Sequence, residues 1–209
     1  MKEILIAAIV GILTCSSTLA QHSNSTIKYF DENNIEISES EYYQILSTKD
    51  VLELPIDSAN HKKLTLRENR GRIPDRASLE SLLEKAIHRE LDAEKPIVII
   101  YHPGKDACNS GGTATKESYR IWFNKLEAKV FKIAQAKPVY IYKDNSGLEN
   151  YEGVLTWYKD PESTIEKRFF KYHYPCSSFV VISKTGDYIS YFGEFADKDV
   201  WKATRLMNN

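Results

Sequence analysis

The stretch Lys95-Pro96-Ile97-Val98-Ile99-Ile100-Tyr101, continued by His102-Pro103-Gly104-Lys105-Asp106-Ala107-Cys108, decides the fold. Its apolar run after Pro96 shows no polar alternation, as expected of a strand buried on both faces in a central sheet. Cys108 follows in a loop. Behind it Tyr119, Trp122, Phe123, Leu126, Val130 and Ile133 recur at helical spacing along one stripe, best read as core packing. The local order is strand, cysteine loop, helix.

Working outward, Leu79, Leu82, Leu83, Ala86, Ile87 and Leu91 form one face of a helix beginning after Asp75, and Val139-Tyr140-Ile141-Tyr142 is a strand. Residues 144–160 read as an irregular loop carrying Trp157 and Tyr158, for which ordinary packing is the first reading and a partner surface the alternative, and a short helix follows over Glu162 to Tyr172. Phe179-Val180-Val181-Ile182 and Tyr188-Ile189-Ser190-Tyr191-Phe192 flank the turn Lys184-Thr185-Gly186-Asp187, and Asp197 opens a last helix with Val200, Trp201, Thr204 and Leu206. Helices between strands favour parallel pairing, and the terminal hairpin adds an antiparallel strand.

Residues 21–74 read as an N-terminal extension. Ile27-Lys28-Tyr29-Phe30 and Ile35-Glu36-Ile37 around the turn formers Asp31 to Asn34 make a small hairpin, and Ser38-Glu39-Ser40-Glu41 has capping-box spacing ahead of a short helix. Lys62 to Arg72, basic and without a clear period, reads as a solvated connector.

Ahead of these lies the apolar run Ile4 to Leu13 behind Lys2, too short for a bilayer span of about 20 residues. Thr18-Leu19-Ala20 then places small residues at the positions signal peptidase favours, so residues 1–20 read as an export signal. The alternative is a lipid anchor through Cys15, because Leu13-Thr14-Cys15 loosely resembles a lipoprotein cleavage site. Removal of the signal leaves Cys108 and Cys176, and an even pair in an oxidising compartment reads as a bridge or a redox couple. The formal charge of −1 supplies no field to attract nucleic acid or anionic lipid.

The cysteine loop after the first core strand, together with Pro175 to Phe195 containing Phe179-Val180-Val181-Ile182-Ser183-Lys184-Thr185-Gly186 and Gly193, resembles the thioredoxin-like superfamily, especially its exported thiol–disulfide and redoxin-type members. The resemblance implies an α/β fold with a three-layer α/β/α arrangement and a mixed central sheet over residues 75–209, preceded by the extension 21–74 and the signal peptide 1–20. The family opens its first helix with Cys-x-x-Cys. Here Gly111 stands where the second cysteine belongs, so the usual resolving thiol is missing. Pro175 is the candidate for the family's cis-proline, although an ungapped count back from Gly186 reaches Ser177 or Ser178.

In that family the loop before the third strand faces the loop carrying the nucleophilic cysteine, which implies that Cys108 and Cys176 approach within disulfide range. Two readings follow. In one the pair is a permanent bridge of a non-catalytic interaction or structural domain; in the other it exchanges disulfides, with Cys108 as nucleophile, Cys176 as an unusual resolving partner, and Pro103, Gly111 and Pro175 shaping the loops. A third reading gathers His102, Cys108, His173 and Cys176 around copper or zinc, metals suited to sulfur and imidazole ligands. Peroxidase chemistry needs a threonine or serine three positions before the cysteine, where Lys105 stands, and a Cys108–His173 hydrolase lacks an orienting third group. Gly111-Gly112 lacks the Gly-Lys-Ser/Thr ending of a phosphate loop and reads as a tight lead into the helix.

The sequence-level expectation is thus an exported periplasmic or secreted protein whose partner is another exported protein's thiol or disulfide. No cofactor, nucleic acid or integral membrane span after signal removal is called for, and the sequence sets no oligomeric state.

Overall fold

The computed structural model describes residues 27–54, 56, 58–111 and 113–209. The export signal read over residues 1–20, Cys15 and Gly112 lie outside them. The expected hairpin forms from β1 (Lys28–Phe30) and β2 (Glu36–Ile37), paired antiparallel. Its turn is closed by the Asp31 carboxylate, which accepts from the amides of Asn33 and Ile35. Helix α1 (Glu39–Leu46) is capped by Ser38, whose hydroxyl accepts from the Glu41 amide.

Strands β3 (Val51–Glu53) and β4 (His61–Leu66) complete a sheet in the order β2-β1-β4-β3, over a small core of Tyr29, Tyr42, Val51 and Leu64. After Arg67 the chain passes directly into β5 (Glu68–Arg72), which pairs with the far larger second sheet. The segment Lys62 to Arg72 is therefore not a solvated connector but most of two strands. The reason it hid is physical. Only Leu64 is buried in β4, and four of the five residues of β5 are exposed, so backbone ladders hold these strands with little apolar periodicity.

The remaining elements are α2 (Arg76–Ile87), β6 (Ile97–His102), α3 (Lys116–Ala134), β7 (Val139–Tyr142), β8 (Tyr158–Lys159), α4 (Thr164–Phe169), β9 (Ser178–Ile182), β10 (Asp187–Tyr191) and α5 (Asp197–Met207). Their sheet runs β5-β10-β9-β6-β7-β8. Pairs β6–β7 and β7–β8 are parallel, whereas β9 runs antiparallel to both β6 and β10. Among the described residues the protein is thus a mixed α/β structure with two mixed sheets and five α-helices. The antiparallel β6–β9 pair departs from the parallel expectation for helix-separated strands.

Alternation along β6 explains its unbroken apolar run. Ile97, Ile99 and Tyr101 pack with Leu79, Leu83 and Ile87 of α2 and Ile165 of α4, while Val98 and Ile100 pack with Phe123, Leu126 and Val130 of α3 and Val200 of α5. Each face of the strand enters its own apolar cluster. Leu91 packs against the first cluster from beyond the end of α2. Trp157 and Tyr158 pack against the two clusters, as the packing reading has it, with Tyr158 in β8.

The β9–β10 turn needs a glycine. Gly186 has φ +89°, and a Cβ there falls 2.7 Å from the Ile73 carbonyl oxygen, a backbone atom that cannot swing away. Gly186→Ala is expected to destabilise the protein by about 2 kcal/mol. Urea unfolding checks this as a lower midpoint at unchanged slope.

No peptide bond among the described residues is cis, so Pro175 does not supply the cis-proline the resemblance implies. Among the described residues no helix is long and apolar enough to cross a membrane.

Candidate functional site

The β6 strand delivers its C-terminal loop to the loop that precedes β9, and there Cys108 and Cys176 form a disulfide with Cα atoms 5.1 Å apart. Cys108 is exposed and Cys176 half-buried.

Local hydrogen bonding explains why the loops meet. The Asp106 Oδ1 accepts from the amides of Cys108 and Asn109 at 2.8 and 2.9 Å, an Asx turn that folds the cysteine loop on itself. Its Oδ2 crosses to the other loop, accepting from the Cys176 amide at 2.9 Å and meeting His173 Nε2 at 3.1 Å. One carboxylate therefore grips the backbone of both cysteines. Asn109 reinforces it, its Nδ2 donating to the carbonyls of Gly104 and Cys176. Cys176 itself is held at φ +67°, a left-handed conformation uncommon for a residue with a side chain.

Helix α3 begins at Lys116 with Thr115 as its N-cap, well past Cys108. The helix start thus lies several residues beyond Cys108; Gly111 is exposed, and a Cβ there meets nothing within 4 Å. A thiolate at Cys108 consequently lacks the helix N-terminus that lowers the energy of reactive cysteines.

Beside the bridge runs a groove of about 380 Å³, lined by Tyr119, Trp122, Phe123, Tyr151, Trp157 and Phe195, with Cys176 and Glu194 also in its wall. Phe123 is buried, as core packing requires, whereas Tyr119 and Trp122 are half-buried and give the groove its aromatic floor.

No protein-family model, curated protein or solved structure matches this chain. Function is therefore read from the bridge and its surroundings.

The two histidines of the sequence-level metal set are engaged elsewhere. His173 is tied to Asp106, and His102 is buried with Nε2 2.9 Å from the Ser146 carbonyl oxygen. Among the described residues the sulfurs of Cys108 and Cys176 instead have a carboxylate oxygen of Glu194 as their third potential ligand, all within 4.8 Å of one another. Pro103, directly after β6, is buried, and Pro175 is exposed beside Cys176.

Three residues of this site escape sequence reading. Asp106, two positions before Cys108, carries an Asx-turn signal that points to it. Glu194 and Arg67 carry none, because they arrive through tertiary structure: Arg67 Nη1 donates to the carbonyls of Phe192 and Glu194 at 3.4 and 3.2 Å, tying β5's lead-in to the loop after β10.

Burial pushes His102 below the usual histidine range, and the bond to Ser146 only partly opposes this. Its Nε2–H donates to that carbonyl in the neutral form, leaving Nδ1 beside the Trp157 ring without a hydrogen-bond partner among the described residues. A folded-state pKa below the unfolded value of about 6.5 means that the unfolded chain binds the proton first as pH falls. Stability is therefore full above about pH 6.5 and declines below it, by at most about 1.4 kcal/mol per pH unit from this group. Unfolding free energies measured from pH 8 to 5 should fall less steeply in His102→Asn than in the wild type.

Proposed function

We propose that this chain is an exported thioredoxin-like protein that exchanges disulfides through Cys108 and Cys176. The three-layer arrangement is supported by the mixed six-stranded sheet and by helices contributing to the apolar clusters on both of its faces. The carrying observation is the double grip of Asp106, which holds both cysteine backbones through hydrogen bonds that do not depend on the S–S bond. Loops secured in this way keep two thiols near each other after reduction, and such a pair re-forms its bridge readily.

Exposure of Cys108 selects the sulfur that a partner reaches. A partner thiolate attacks Cys108 Sγ, the S–S electron pair passes to Cys176 Sγ, and that thiolate takes a proton from solvent. A second thiolate of the partner then attacks the partner sulfur of the mixed disulfide and expels Cys108 as a thiolate, which is protonated in turn. Two partner thiols have become one disulfide, and the protein is left as a dithiol. The aromatic groove beside Cys176 offers the partner's flanking residues an apolar surface.

The test follows oxidation of a reduced dithiol peptide, with glutathione disulfide regenerating the bridge. Wild type is expected to turn over and Cys108→Ser to be inactive. A wild-type bridge that transfers nothing to the peptide would instead assign the pair to the permanent-bridge reading.

A further inference from the structure

Glu194 is an unusual neighbour for a disulfide. Its carboxylate lies within 4.8 Å of both cysteine sulfurs and forms no hydrogen bond or ion pair with any described residue. The backbone around it is nevertheless anchored: the Glu194 carbonyl accepts from Arg67 Nη1, and the Gly193 amide donates to Ser178 Oγ at 3.0 Å. Among the described residues that carboxylate thus lies beside two sulfurs with no polar partner of its own.

While the bridge is closed, the arrangement is electrostatically indifferent, because disulfide sulfurs carry no charge. Reduction changes this. A thiol reductant converts the bridge to two thiols, itself becoming a disulfide, and any thiolate then formed faces the Glu194 carboxylate as a like charge. A cation bound by all three groups removes that repulsion and uses each as a ligand.

We propose that the dithiol form binds a thiophilic divalent cation, with Zn²⁺ the best match, through Cys108 Sγ, Cys176 Sγ and the Glu194 carboxylate. Two sulfurs and one oxygen suit zinc, and the fourth tetrahedral position stays open to water. Binding releases both thiol protons to solvent. With Zn–S distances of about 2.3 Å the sulfurs settle about 3.8 Å apart, a separation that side-chain rotation at exposed Cys108 supplies. The oxidised protein has only weak disulfide donors to offer, so bridge and metal exclude each other.

This site does not require exchange turnover, and its test is correspondingly separate. Full-length protein carrying Cys15→Ser, fully reduced and freed of reductant without oxygen, is titrated with Co²⁺ and, against a chromophoric chelator, with Zn²⁺. Expected are one equivalent bound, thiolate-to-cobalt charge-transfer absorption, and loss of both in Cys108→Ser. Glu194→Gln should keep the charge-transfer band but weaken Zn²⁺ affinity about tenfold or more. Its urea midpoint, unchanged because Glu194 is exposed, guards against a folding artefact. Equal affinity in the disulfide form, no binding by the dithiol, or wild-type affinity in Glu194→Gln would each overturn the proposal.

Discussion

Cys176→Ser should unfold at markedly lower urea concentration than the oxidised wild type, with a loss of about 4 kcal/mol. The figure follows from the separation of 68 residues that the bridge closes, since a crosslink of that span removes a large share of the unfolded chain's freedom. The native loops, gripped by Asp106, need not rearrange when the bond is absent, so the loss falls on the unfolded-state side. Cys108, exposed and now unpaired, is expected to react fully with a thiol reagent in the folded protein. Wild type that labels at both positions without reductant would contradict the pairing.

The second large effect belongs to Asp106. Its replacement by alanine leaves the amides of Cys108, Asn109 and Cys176 without their acceptor and releases His173, and a loss of about 3 kcal/mol is expected. The redox consequence is more diagnostic than the stability loss. If Asp106 keeps the two thiols close in the reduced protein, Asp106→Ala lowers their effective concentration and makes the bridge easier to reduce. A tenfold change in that equilibrium raises the reduction potential by about 30 mV. Thiol labelling of wild type and variant across one glutathione series measures the difference. An unchanged potential would mean that Asp106 stabilises oxidised and reduced loops equally, and that the bridge alone aligns the cysteines.

Elements whose side chains bury with a regular period were legible in the sequence. Strand β6 was clear because both of its faces enter apolar clusters, and α3 and α5 because Leu126, Val130 and Val200 recur on buried stripes. Strand β5 was not, because its residues are mostly exposed and it is recruited by β10 through backbone pairing, with Gly71 lying against the Tyr188 ring. The same distinction applies to the site. The cysteines were visible by count and placement, whereas Asp106 was missed although its place two positions before Cys108 carries an Asx-turn signal. Glu194 was hidden, because its place beside the sulfurs depends on Arg67 and Ser178, which only the folded sheets bring to the loop after β10.

The electrostatics of the site bear on its redox poise. Cys108 lies far from the start of α3 and has the Glu194 carboxylate close by, so the reduced pair gains little thiolate stabilisation. Strongly oxidising bridges owe their character to a stabilised reduced form, a feature missing at this site.

The most direct measurement is the reduction potential of the Cys108–Cys176 pair in the purified protein, by thiol labelling across a glutathione series. Exchange chemistry predicts a reversible couple at the reducing end of the exchange-active range, nearer about −270 than −120 mV. A bridge that resists reduction below about −300 mV would contradict it and make the disulfide a permanent brace between the two loops.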